Sequence, residues 1–497
     1  MFDKSKLKCS SFLFLVLLIF CLHSNIIIGL AQSEKLELEV EQHWDTYGIG
    51  GTCIAGTHNL AVEDVDNDGS KEIVTGGFSY SIVDENRGSI GAPLRIWSWN
   101  GQNLTLEKSE NWLGNIRCVT AGDANGDDKI EILTAGGLIS NTSISSSLRI
   151  WSWNGQNLVL KGSYTEISAG SIFICDVDSD DIPEILAVGR AYNTSQPNAQ
   201  LTIWHWDGDN ISLKANVEWS SSNDVARANS LQAADLDKDG TIEIVTGGYV
   251  NKLENSSGQL RVWQFDGNNV SLVTNAEWRM VDAFSLDMAG NVLGNTVVNN
   301  IKVADVDSDG YQEIVTGGFT YDGAKALAQL RIWNWTNNIL NLEESYEWAT
   351  SDITEIKSIS IADVDSDGNK EVVTSGLTCG YDSFSENAPD KSRAELKILS
   401  WNGNTLSSKL SANWMAGEGV CGWNVGTGDV DNDGAVEIVT VGCMYVDNLC
   451  DPDLRIWSLP AESSTSASFP YIPAVIAGTV ITILVVLTLH FFIRRRG

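Results

Sequence analysis

The sequence predicts an all-β fold, a seven-bladed β-propeller closed by an N-terminal strand and followed by one C-terminal transmembrane helix. Three observations carry this expectation. An acidic loop of the pattern Asp-x-Asp-x-Asp-Gly-x-x-Glu, followed by a short apolar run, recurs seven times, beginning at Asp64, Asp123, Asp176, Asp235, Asp305, Asp363 and Asp429. Its spacing of 53 to 70 residues lies within or just above the range of blade-type repeats. Each repeat holds strand-like apolar segments, and the two ends of the repeated region complement each other.

Four segments can be followed in the first repeat. AVEDVD leads into the loop Asp64 to Glu72, EIVTGG follows it, and LRIWSW runs from Leu94 to Trp99. Asn100 and Gly101 then turn the chain into LTLEKSENW, which ends at Trp112. Asn-Gly between alternating apolar runs is a strong hairpin signal, so each repeat reads as a four-stranded antiparallel sheet. Such a sheet must cover its apolar faces with neighbours, which suggests a ring.

The chain ends support closure. The seventh repeat stops after its third segment, LRIWSL from Leu454 to Leu459, whereas the mature N-terminus begins with KLELEVEQHW from Lys35 to Trp44. Its Leu36-to-Trp44 separation equals that of Leu104 to Trp112, Ile211 to Trp219, Leu340 to Trp348 and Leu406 to Trp414. The N-terminal strand is therefore expected to complete the seventh sheet and leave no open edge.

Outside the repeats, Lys4, Lys6 and Lys8 precede the apolar run Phe12 to Leu22 and a small-residue site ending at Ala31, the pattern of a signal peptide over 1–31. The propeller is expected over 32–459, a Ser-rich stalk over 460–473, and a membrane-spanning helix over 474–493. Arg494, Arg495 and Arg496 place the 494–497 end in the cytoplasm, so the repeated body is extracellular on a single-pass membrane anchor. Seven cysteines remain after signal removal, and Cys443 with Cys450, flanking one loop, is the favoured disulfide.

The formal charge of −33 excludes nucleic acid as a partner, because phosphates demand a basic face. The charge is concentrated: 27 of the 65 carboxylates stand at the four acidic positions of the loops. Clustered carboxylates repel unless cations neutralise them, and oxygen ligands at alternate positions suit Ca2+. The candidate ligands are Asp64, Asp66, Asp68 and Glu72 in the first loop, and Asp123, Asn125, Asp127 and Glu131 in the second. The third offers Asp176, Asp178, Asp180 and Glu184, and the fourth Asp235, Asp237, Asp239 and Glu243. Asp305, Asp307, Asp309 and Glu313 follow in the fifth, Asp363, Asp365, Asp367 and Glu371 in the sixth, and Asp429, Asp431, Asp433 and Glu437 in the seventh.

Gly at position six permits a tight turn, and the Glu at nine is expected to finish the shell, with a bidentate grip as one way of doing so. An EF-hand is excluded, since its last ligand falls at position twelve and its flanks are helices rather than Val-, Ile- and Thr-rich strands. Up to seven Ca2+ sites are expected. The second, with Asn125 and Asp128, and the third, with Asp181 and Pro183, should be the weakest. The competing reading is a set of solvated Asp-Gly turns.

The loop, the EIVTGG that follows and LRIWSWNG resemble the FG-GAP or VCBS repeats of integrin α-subunit propellers and microbial surface proteins. The resemblance covers nearly all of 36–459 and implies a propeller whose loops hold Ca2+ in a strand-to-strand hairpin. It departs in having Glu at position nine, where integrins usually have Asp, and in lacking leg domains, so an integrin-like heterodimer is not implied.

Seventeen of the 18 tryptophans occupy repeating strand positions and read as core; Trp423 stands outside the pattern as the exposed candidate. The loops joining second and third strands vary most, over Phe78 to Pro93, Leu377 to Glu395 and Cys443 to Asp453, as does the link Arg279 to Asn300. Variable loops on a rigid scaffold make that face the candidate for an extracellular protein or glycan ligand. His43, His58 and His205 lie in no recognisable catalytic setting, so no catalytic residue is assigned and a non-enzymatic adhesion or ligand-binding module is expected. The alternatives are a polysaccharide lyase or glycosidase, and a structural envelope protein.

Overall fold

The described strands pair into seven four-stranded antiparallel units, built as the hairpin spacing requires. A computed structural model describes residues 36–459 apart from 44–51, 54–58, 85–86, 140–143, 168, 192–197, 221–223, 253–254, 281–284, 287–291, 294–295, 381–391, 416–418 and 447–448. The signal peptide, stalk and anchor expected over 1–31, 460–473 and 474–493, with the Arg-rich end, lie outside these residues. No helix among the described residues is long and apolar enough to cross a membrane.

Unit three shows the pattern without additions: Ser171–Cys175, Glu184–Ala191, Asn198–Trp206 and Ile211–Trp219, in that order across the sheet. Units one and two share the 19-residue strand Leu104–Gly122, whose first half pairs outward in unit one and whose second half is innermost in unit two. In the seventh unit Glu37–His43 pairs antiparallel with Leu449–Ser458, so the N-terminal strand supplies the missing outer strand, as expected.

The hairpin turns use side chains as well as Gly. In unit one Trp99 faces Leu104, leaving a four-residue loop in which Asn100 Oδ1 accepts from the Gln102 and Asn103 amides at 3.1 and 2.7 Å. Gly101 takes φ 76°, which L side chains disfavour. Asp207 and Asp266 play the part of Asn100 in units three and four. In unit five Asn337 and Asn338 both take positive φ between Thr336 and Ile339, a two-residue turn that Asn tolerates better than most residues.

Seven apolar clusters lie between consecutive units. One of them joins unit seven to unit one, bringing Val439, Leu454 and Ile456 against Ile73, Trp97 and Trp99. The innermost strands likewise follow one another in cyclic order, Leu60–Glu63 beside both Leu104–Gly122 and Gly419–Gly428. The architecture is a β-propeller.

The core assignment of the paired tryptophans holds for Trp97, Trp99, Trp151, Trp153, Trp206, Trp333 and Trp335, which are all buried, while Trp204 is half-buried against the cluster between units two and three. A repeated hydrogen bond explains one tryptophan in each of five units. Trp97, Trp151, Trp263, Trp333 and Trp457 each donate the indole N–H to a threonine hydroxyl on the second strand. Thr246→Val would leave the Trp263 indole, now 2.9 Å from Thr246 Oγ1, buried without its acceptor. It is expected to cost about 1–3 kcal/mol in urea unfolding, and a loss below about 0.5 would mean the bond contributes little. The Trp423 side chain lies outside the description. Cys443 faces Pro452 across the hairpin and Cys450 faces Tyr445, so the expected disulfide partners stand two residues out of register.

Candidate metal centres

All seven acidic loops fold on one hydrogen-bond frame. The first Asp anchors it: in unit one Asp64 Oδ1 accepts from the Asp68 amide at 3.0 Å and Oδ2 from the Gly69 amide at 2.9 Å. The Oδ2 bond to the sixth residue recurs in every loop, at 2.8–3.0 Å. The fifth Asp accepts from the seventh residue's amide, as Asp68 does from Ser70 at 2.8 Å. These bonds bend the chain so that carboxylates at alternate positions converge.

Position six takes positive φ throughout, which explains its Gly, as in Gly69 at 96° and Gly434 at 92°. Asp128 and Asp181 adopt the same region at 63° and 66° and keep the bond to the first Asp, so the departures in loops two and three leave the turn intact. Position four also takes positive φ in a non-Gly residue, with Asn67, Ser179, Lys238, Ser308, Ser366 and Asn432 near 60°. That demand was not visible in the motif.

The position-nine glutamate also ties the loop to its own backbone. In every loop its Oε2 accepts from the amide of position two, for example Val65 to Glu72 at 3.0 Å and Val306 to Glu313 at 2.9 Å. The same bond joins Ala124 to Glu131, Val177 to Glu184, Leu236 to Glu243, Val364 to Glu371 and Val430 to Glu437. One oxygen is committed to the backbone, which leaves Oε1 for anything held in the loop.

The carboxylates so gathered strain against one another. Asp64, Asp66 and Glu72 place oxygens within 4.8 Å of each other, as do Asp305, Asp307 and Glu313, and the three aspartates of loops three and four. Burial, reinforced by Asp66, Asp68 and Asp64, pushes the Glu72 carboxyl up to about 8. Burial likewise raises Glu131, Glu313 and Glu437 to about 7. Asp237 Oδ1 and Asp305 Oδ1 are buried without a hydrogen-bond partner among the described residues. Buried oxygens lacking donors, beside carboxyls driven toward protonation, form a donor set that a hard cation would satisfy.

In loop two the exposed Lys129 Nζ lies 2.9 Å from Asp127 Oδ2 alone, whereas two loops hold a lysine ammonium among several of their carboxylates. Lys409, on the fourth strand of unit six, places Nζ on Asp365, 2.8 Å from Glu371 Oε1 and 3.3 Å from Asp367 Oδ2. Lys214 does the same in unit three, 2.6 Å from Glu184 Oε1 and 3.3 Å from Asp178 Oδ2. Burial by itself would lower both ammonium groups, but hydrogen bonds to these carboxylates outweigh it and hold them above the usual lysine range. In unit four the neutral Gln264 donates to Glu243 Oε1 at 3.0 Å. Loop six, whose motif is complete, is therefore filled by an ammonium that the motif does not contain, brought from 38 residues further on, as loop three is from 30.

The loops and hairpin turns share a face, as strand order requires, and they interlock. A Cβ at Gly101 would lie 2.7 Å from Asp431 Oδ2 of the seventh loop, one at Gly155 the same distance from Asp66, and one at Gly403 2.8 Å from Asp307. These three turns thus lean on the third-position carboxylate of the preceding unit, and unit one leans on unit seven. Neighbouring loops also touch directly, Asn432 donating to Ser70 at 2.9 Å and Asn67 to the Asp128 carbonyl at 3.3 Å. Of the variable segments on the other face, 85–86, 281–284, 381–391 and 447–448 lie outside the described residues.

No family model matches the sequence, and no curated relative does. Among solved structures, the chain is similar to Sqt1 from Chaetomium thermophilum, at 12% identity over 88% of both chains with a TM-score of 0.43. The Dos1 propeller gives 11% identity over 86% of this chain and 96% of that one, TM-score 0.41. The Bacillus licheniformis rhamnogalacturonan lyase PL11 gives 13% over 80% and 76%, TM-score 0.33. At these scores nothing of this chain's chemistry is drawn from them.

Proposed function

We propose that the chain is a seven-bladed propeller of the FG-GAP/VCBS kind, stabilised by Ca2+, exported and held at the cell surface by its C-terminal apolar segment, where it acts as a non-enzymatic adhesion or ligand-binding module. The supporting observation is the identical frame of the acidic loops, which serves every unit alike and so has the character of scaffold rather than of a single reaction centre. Ca2+ would be held by the side-chain oxygens at positions one, three and five, Asn125 standing at position three in unit two, and by the glutamate Oε1, in units one, two, four, five and seven; in unit four Gln264 would have to release Glu243 Oε1. In units three and six Lys214 and Lys409 take its place. The ligand would be an extracellular protein or glycan met on the face opposite the loops.

Lys409→Met tests the metal assignment. Without metal it exposes the buried Glu371 and Asp365 to each other uncompensated, with an expected loss of roughly 3–5 kcal/mol. With Ca2+ in excess, elemental analysis should find one more bound ion than in the parent chain, and the stability should return. An unchanged ion count would remove the idea that ammonium and Ca2+ compete for one position. For the ligand, a glycan and protein pull-down with the full chain tests the binding module, and turnover of a polysaccharide panel would replace it with the enzyme reading.

A further inference from the structure

The innermost strands of all seven units surround one cavity of about 340 Å³. This is at the lower end of the range for small-molecule pockets, about 300–1,000 Å³. One residue from each unit, always three places before the loop's first Asp, stands at the same level of its wall and is half-buried there. Here the repeat gives way: the seven residues all differ, and only Lys302 among them is charged.

Lys302 is a cation without a counter-charge. No carboxylate of the described residues lies within ion-pair distance of it, and the titratable group set against it is the Cys118 thiol, which burial pushes up to about 12 and so keeps neutral. Burial depresses its ammonium, as a desolvated lone lysine requires. Glu63, the acidic residue that shares the cavity wall, is engaged by Lys71 at 3.2 Å. Inside a chain of charge −33, a desolvated ammonium without a counter-charge is costly unless something offsets it. The groups around it are uncharged and suited to hydroxyls: Thr120, Gln232, and the Ser360–Thr427 hydroxyl pair at 2.9 Å. Phe173 adds one aromatic ring to the same level.

We propose that this central cavity binds a small, hydroxyl-rich monocarboxylate of the sugar-acid class, its carboxylate paired with Lys302, its hydroxyls met by Thr120, Gln232 and Ser360, and one face against Phe173. A single cation selects a single negative charge, and a cavity of about 340 Å³ matches one sugar unit in size. The site is separate from the ligand proposed above for the face opposite the acidic loops and stands or falls without it.

The test is calorimetric titration of the full-length chain with D-glucuronate, D-glucose, acetate and a uronate tetramer. Glucuronate is expected to bind at least ten-fold more tightly than each of the other three. Lys302→Met should reduce glucuronate affinity at least ten-fold without lowering the melting temperature, and Lys302→Arg should retain binding. Equal affinity for glucose and glucuronate, or no glucuronate binding by the parent chain, would overturn the proposal, and neither result depends on a variant folding. Acetate binding as tightly as glucuronate would overturn the hydroxyl contacts, and full binding by Lys302→Met would overturn the role of the lysine.

Discussion

Stripping Ca2+ from the purified chain is expected to lower its melting temperature by roughly 10–20 °C. Each ion bound at a hundred times its dissociation constant stabilises the fold by about 2.7 kcal/mol, and a domain this large shifts by about 1–2 °C per kcal/mol. The pH dependence should reverse with metal. In the stripped chain Glu72, Glu131, Glu313 and Glu437 titrate near 7–8 when folded, above their unfolded value of about 4.5. Their neutral forms suit the fold, so their contribution is fully present below about pH 4.5 and is lost as the pH rises to about 8. With Ca2+ in excess the ionised forms are the ligands, and stability should instead rise over the same window. Thermal melts from pH 5 to 8 in metal-free buffer and in millimolar Ca2+ decide the matter. Superimposable curves would refute a structural role for the ion.

Deleting residues 32–43 is expected to be the most damaging change of a single segment, with a loss of more than about 5 kcal/mol or failure to stay monomeric. The deletion removes Glu37–His43 from its pairing with Leu449–Ser458 and uncovers a full strand edge, a template for association. It also removes Leu36 and Val40 from the two clusters that bind unit seven to its neighbours, and Glu41 from the buried Arg455. The control is rescue: a synthetic peptide of residues 32–44 added in trans should restore the melting transition by strand addition. A truncated chain that melts like the parent would mean that the ring does not depend on this strand.

Much of the architecture was legible because it is local. Asn100 and Gly101 announce a turn within four residues, and the Leu36-to-Trp44 spacing announces a fourth strand without a third before it. The frame of each acidic loop was legible for the same reason, down to the glycine that positive φ demands at Gly69. What the sequence hid is what the fold brings from afar. Lys409 reaches Glu371 from 38 residues on and Lys214 reaches Glu184 from 30, and neither belongs to the motif it fills. The glutamate's division of labour between backbone and loop interior depends on a single oxygen, below the resolution of any spacing rule. Lys302 sits in an ordinary strand, IKVADVD, and becomes exceptional only when seven such strands face one hollow.

The hairpin turns pressed against their neighbours' acidic loops carry a further consequence. Gly101 abuts Asp431, Gly155 abuts Asp66 and Gly403 abuts Asp307, so what fills one loop is felt by the turn of the next sheet. Across these three seams, one of them where the chain's two ends meet, occupancy of a loop and the posture of the adjoining sheet are then one variable rather than two.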